Sequence, residues 1–199
     1  MYKCIVSILL FIFLLTMENP ASSASYIPDG KKDSIALLII DIQDFYFDGN
    51  GRLEGCVEAS LVAKRILEMF RDKNLPVIHV MHGTKSKIHV NVLPIEGEKV
   101  IVKNEINSFR GTDLLEYLHQ KHIKKLIICG MMTHMCLEGT TRAAVDYGFD
   151  CTVIADACAT RDLKFGNEVV KARDVHISTL ATLTYYAKVI TAEEFLKDF

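Results

Sequence analysis

Apolar residues along this chain come in short unbroken runs, separated by stretches with helical spacing. Ser34 to Asp41 (SIALLIID) is an apolar run ending in an acid, the pattern of a strand buried on both faces. From Gly55 to Asn74, residues Val57, Leu61, Val62, Ile66, Leu67, Met69 and Phe70 recur at helical spacing. Leu75 to Val80 is a second strand opened by a proline, and Lys99 to Lys103 (KVIVK) is a shorter third. Thr112 to His122 predicts a helix, Lys125 to Gly130 a fourth strand, and Thr133 to Tyr147 a helix closed by Gly148. Cys151 to Asp156 is a fifth strand. A long helix is expected over about Gly166 to Tyr186, then a short strand at Ala187 to Ile190 and a last helix at Ala192 to Lys197. Strand–helix alternation of this kind predicts a three-layer α/β/α sandwich around a mostly parallel six-stranded sheet.

The first 24 residues have a different character. Lys3 gives a short positive start, Ile5 to Leu15 is an apolar run interrupted only by Ser7, and Ser22-Ser23-Ala24 places small residues at a cleavage site. The run is too short to span a bilayer, which takes about 20 apolar residues. Residues 1–24 are therefore expected to be a signal peptide, and residues 25–199 one exported domain, periplasmic or secreted. The membrane enters only through that N-terminal segment. Removing Cys4 with it leaves Cys56, Cys129, Cys136, Cys151 and Cys158, an odd number, so at least one thiol stays free. Cys151 and Cys158 flank the fifth strand, and at about 3.3 Å per residue they lie roughly 20 Å apart, too far to pair.

Composition narrows the class. Of 199 residues, 50% are hydrophobic and 24% charged, a balance that favours a packed globule over disorder. The formal net charge of −2 offers no basic footprint for nucleic acid. No Cys/His pair has zinc spacing, so no metal or cofactor is expected. The glycines of FDGNGRLEG have the wrong spacing for a phosphate loop.

In open parallel sheets the ligand crevice lies beyond the carboxyl ends of the strands. Asp41, His82, Lys103 and the stretch Met131 to Cys136 all fall there. A carboxylate after an apolar run is costly unless it is paired or functional. Cys136 sits in the first turn of a predicted helix, where the dipole and free N–H groups are expected to lower its pKa and to hold an oxyanion. An acid, a cation and a thiol at neighbouring strand ends meet the needs of covalent amide hydrolysis. Phe45, Tyr46 and Phe109 follow the Asp41 and Lys103 positions as pocket candidates; Asn107 is a candidate to orient Lys103 or substrate.

The ordered stretches ALLIIDIQDFYF, LPVIHVMH, PIEGEKVIVKNEINSF and KLIICGMMTHMCLEGTTRAAVDYGFDCTVIADACAT resemble the isochorismatase-like cysteine hydrolases, from about residue 34 to 197. This superfamily includes nicotinamidases, N-carbamoylsarcosine amidase and streptothricin hydrolase. The resemblance implies a Rossmann-like fold and a catalytic triad of Asp41, Lys103 and Cys136. Asp41 would be the base, Lys103 its cationic partner and Cys136 the nucleophile of a thioester route. It further implies an oxyanion site at the backbone N–H groups of Met132 and Cys136, and a non-proline cis peptide at Met131–Met132. Phe45, His82, Asn107 and Phe109 are the expected substrate-binding residues.

The chain departs from nicotinamidases in having no Asp-x-His motif after the second strand, where it reads HVMHGTKSKIHVNVLP. A metal is not expected, and nicotinamide falls behind other amides. True isochorismatases cleave a vinyl ether and need no thiol. The expected partner is thus a small-molecule carboxamide, ureide or lactam, and the expected assembly a homo-oligomer, dimer or tetramer. The alternatives are vinyl-ether or nicotinamide hydrolysis on the same fold, a thiol redox protein, and a non-catalytic binding protein.

Overall fold

A computed structural model describes residues 35–199. The expected signal segment 1–24 and the predicted strand start at Ser34 lie outside the described residues. Six parallel strands form the central sheet: β1 (Ile35–Ile40), β2 (Val77–His82), β3 (Lys99–Lys103), β4 (Lys125–Met131), β5 (Asp150–Ala159) and β8 (Lys188–Ile190). Their order is β3-β2-β1-β4-β5-β8. The direction of winding reverses between β1 and β4, and a crevice opens at such a switch point.

All six residues of β1 are buried, which explains why its sequence shows no alternation. Leu37 and Ile39 point into one apolar layer, where they meet Ala63, Ile66, Leu67 and Phe70 of α1 (Cys56–Asp72) and Phe195 of α5 (Ala192–Asp198). Ala36, Leu38 and Ile40 point into the other layer, closed by α2 (Leu114–Gln120), α3 (Glu138–Asp146) and α4 (Ala172–Leu183) through Leu114, Leu118, Ala144 and Leu183. Each fully buried side chain of this size stabilises the fold by about 1.5–3 kcal/mol relative to exposure. The expected three-layer sandwich is the observed one.

Two elements differ from expectation. The helix foreseen from Gly166 starts only at Ala172, and a two-stranded antiparallel hairpin, β6 (Leu163–Phe165) and β7 (Glu168–Val170), occupies the space before it. Gly166 takes φ +59° in the turn, and Gly166-Asn167 followed by β-branched Val169 and Val170 is hairpin chemistry that outweighs helical spacing. Asp162 then caps α4, its Oδ1 accepting from the Ala172 N–H at 2.8 Å. The strand at Cys151 is also longer than expected, because β5 continues to Ala159 past a register shift opposite Ile128 and Gly130. The five described cysteines are buried and free, Cys151 and Cys158 among them.

Candidate functional site

The site is assembled from the ends of β1, β2, β3 and β4. Asp41 follows β1 with φ +51°, a left-handed conformation rare outside glycine, and its N–H donates to Val80 O at 2.9 Å. That turn swings the carboxylate into the crevice instead of along the strand. Lys103 ends β3 beside His82, its register partner on β2. At the end of β4, Gly130 takes φ +133° opposite Ile40, and a Cβ there would lie 2.0 Å from Ile40 O. Only glycine lets the two strands approach so closely. Met131–Met132 is a cis peptide, as the resemblance implies, and a five-residue π-helical turn (Thr133–Leu137) then carries Cys136 into α3. His134 Nδ1 and Thr160 Oγ1 share a 2.6 Å hydrogen bond, and Thr133 Oγ1 and His176 Nδ1 one of 3.0 Å, tying this turn to the segment just after β5 and to α4.

Lys103 is the hub. Its Nζ donates to Asp41 Oδ2 at 2.7 Å and to Cys136 Sγ at 3.3 Å, and lies 3.2 Å from His82 Nδ1. An ammonium has three protons, and three acceptors stand around this one. The side chains of Lys103 and Asp41 are wholly shut from solvent, so neither charge is tolerable without the other. Asp41 Oδ1 is buried with no hydrogen-bond partner among the described residues. Ligand-type atoms of Asp41, His82 and Cys136 all lie within 4.8 Å of one another, a spacing that would also suit a metal ion. The Lys103 ammonium sits among them as the cation instead, which leaves this donor set a poor fit for a second positive charge.

Burial raises the pKa of Asp41 above the ordinary carboxylate value, although the charge and hydrogen bond of Lys103 oppose it. Burial first, and the negative charge of Asp41 second, push the Cys136 thiol up to about 12. This reverses the expectation that a helix N-terminus would lower it. The thiol is enclosed beside a carboxylate, and these effects outweigh the lysine. The resting sulfur is therefore an S–H beside a carboxylate that burial has made more basic.

The structure places the softer candidates unevenly. Tyr46 is buried beside the site, and burial together with the charges of Asp41 and Cys136 raises its phenol. Phe45, its ring 4.0 Å from that of Tyr46, is 38% exposed. Phe109 is turned away: it is buried and packs on Tyr147 and Phe149 in the α3 layer. Asn107 caps its own turn, its Oδ1 accepting from the Phe109 N–H at 2.9 Å.

Gln43 escaped sequence reasoning. It is fully buried, accepts from the His82 N–H at 2.8 Å and donates to Ser86 O at 2.8 Å. An amide inside the Asp41 turn was its only signal. A second network, also unforeseen, lies under β2. Glu98 binds Arg71 through two 2.8 Å contacts and His79 Nε2 through another of 2.8 Å.

The switch point of this α/β sheet thus gathers a thiol, a carboxylate and a lysine. The Isochorismatase domain family matches residues 35–194, and the chain belongs to that family. It is 42% identical to the uncharacterized isochorismatase family protein YddQ of Bacillus subtilis (strain 168), over 81% of this chain and 98% of that one. An isochorismatase structure from Pseudomonas putida KT2440, 36% identical, superposes with a TM-score of 0.78 over 81% of this chain and 90% of its own. A streptothricin hydrolase of Streptomyces noursei is 29% identical over 64% of this chain and 50% of that protein. At family level the chain is an isochorismatase-type hydrolase.

Proposed function

We propose that this hydrolase cleaves a C–N amide-type bond of a small carboxamide, ureide or lactam through a thioester on Cys136. The observation that carries this reading is the enclosure of the Cys136 thiol between a lysine ammonium at 3.3 Å and the Asp41 carboxylate. Vinyl-ether cleavage has no use for such a thiol.

In the first half-reaction the sulfur attacks the carbonyl carbon while its proton passes to Asp41, whose raised pKa makes it a stronger base than a free carboxylate. The carbonyl oxygen, now negative, is received by the backbone N–H groups of Met132 and Cys136. Collapse breaks the C–N bond, the proton on Asp41 goes to the departing nitrogen, and the acyl group remains as a thioester. Water then gives its proton to Asp41 and attacks the thioester, releasing the acid and restoring the thiol. Lys103 keeps Asp41 in place and stays charged throughout. Tyr46 and Phe45 form the apolar wall against which the substrate lies.

The test is intact-protein mass spectrometry after incubation with a panel of small amides. A stoichiometric acyl adduct mapped to Cys136, decaying with ammonia or amine release, is the expected result. Cys136→Ser and Asp41→Asn should each lower turnover by at least about 10³-fold. Hydrolysis undiminished in Cys136→Ser would end the thioester mechanism. We also infer that the protein is exported after cleavage behind Ala24, which the sequence of residues 1–24 supports; N-terminal sequencing of the mature chain should begin at Ser25.

A further inference from the structure

His82 is held more firmly than an exposed side chain needs to be. Gln43 clamps its backbone from both sides, accepting from the His82 N–H at 2.8 Å and donating to its carbonyl at 3.4 Å, while the Gly83 N–H donates to Lys103 O at 2.8 Å. The ring is exposed at the mouth of the crevice, yet its Nδ1 lies 3.2 Å from Lys103 Nζ. An ammonium can only donate, so Nδ1 must accept and the ring proton must sit on Nε2. The ionisable side chains that face the imidazole are Asp41 beyond β1, Lys103 on β3 and Cys136 in the π-helical turn.

We propose that His82 is a positioning residue of this site: an Nε2-protonated imidazole whose Nδ1 accepts from the Lys103 ammonium and steadies it against Asp41 and Cys136. Without that acceptor the ammonium loses one of its three partners, and with it the geometry that serves the thiol. The consequence for turnover rests on the function proposed above, but the role itself is testable without any substrate.

Two measurements test it. Long-range nitrogen–proton NMR of the folded protein near pH 8 should show His82 as the Nε2–H tautomer. The second measurement is the rate of Cys136 alkylation by iodoacetamide near pH 8, mapped by peptide mass. Near pH 8, His82→Ala should alkylate several-fold more slowly than wild type, with His82→Gln recovering part of that loss through its amide oxygen. An Nδ1–H tautomer, or an alkylation rate unchanged in His82→Ala, would overturn the role. The expected tautomer and rates together with no turnover of any amide would leave the positioning role standing and remove the proposed function.

Discussion

Lys103 Nζ lies 2.7 Å from Asp41 Oδ2, and the side chains of both are fully buried although 62 residues separate them in sequence. This pair is costly to bury and stands at the centre of the candidate chemistry. Removing one partner strands a charge in a dry interior, at a cost of about 3–5 kcal/mol, whereas removing both leaves nothing uncompensated. Lys103→Met should therefore lower stability by about that amount. Asp41→Asn with Lys103→Met should recover much of it, because asparagine tolerates the positive φ at position 41. Urea denaturation of the single and double variants measures the coupling, which should exceed about 1 kcal/mol.

The thiol offers a second check. Burial and the Asp41 charge together hold Cys136 up near about 12. Neutralising the carboxylate removes one of these causes, so in Asp41→Asn the Cys136 thiolate should appear at lower pH than in wild type. Ultraviolet thiolate absorbance, taken as a difference against Cys136→Ser, isolates this sulfur from the other buried cysteines. Turnover should move the other way and fall, since a more acidic thiol does not replace the missing base. A thiolate midpoint unchanged by Asp41→Asn would show that the carboxylate does not reach the sulfur.

Acid should loosen the fold through the network under β2. Burial alone would raise the Glu98 carboxyl, but bonds from Arg71, the Ile95 N–H and His79 hold it at about 2, against 4.5 when free. A depressed acid gives stability that is complete above about pH 4.5 and lost as pH falls toward 2. His79 adds to this in the same direction: burial lowers its pKa from 6.5, so the unfolded chain takes up its proton first as pH falls. The urea midpoint should decline from near pH 6 downward. Glu98→Gln should flatten the lower part of that decline and cost on the order of 1–3 kcal/mol at neutral pH.

Two glycines should respond differently to alanine. At Gly130 a Cβ would strike the Ile40 carbonyl and the φ of +133° is already hostile, so Gly130→Ala should destabilise by more than about 3 kcal/mol and disorder the Cys136 turn. At Gly148 the space is open, and only φ +87° opposes the substitution; about 1–2 kcal/mol is expected. Thermal melts of the two variants compare them directly.

The strands and their polarity were legible in the chain itself. An unbroken run such as IALLII can hide its backbone and both faces only at the centre of a parallel sheet, and the helical stripe of α1 needs a sheet to cover. The strand ends by themselves put Asp41, Lys103 and Cys136 on one rim. Hairpin β6–β7 was missed because the apolar positions after Gly166 fit a helix as well as a strand, and turn chemistry decided between them.

What the sequence could not fix is whatever depends on two segments meeting. Periodicity says that Phe109 is apolar, and only packing put it against Phe149 instead of the crevice. The polar character of Gln43 is plain, but its grip on His82 exists only because β1 and β2 lie side by side. The Cys136 thiol shows the difference most clearly. Its place at the start of a helical segment argued for a lowered pKa, yet enclosure beside Asp41 raised it. Local sequence sets backbone direction and side-chain periodicity, which are short-range. Burial and charge pairing sum over neighbours from distant strands, and the tertiary structure alone brings those together.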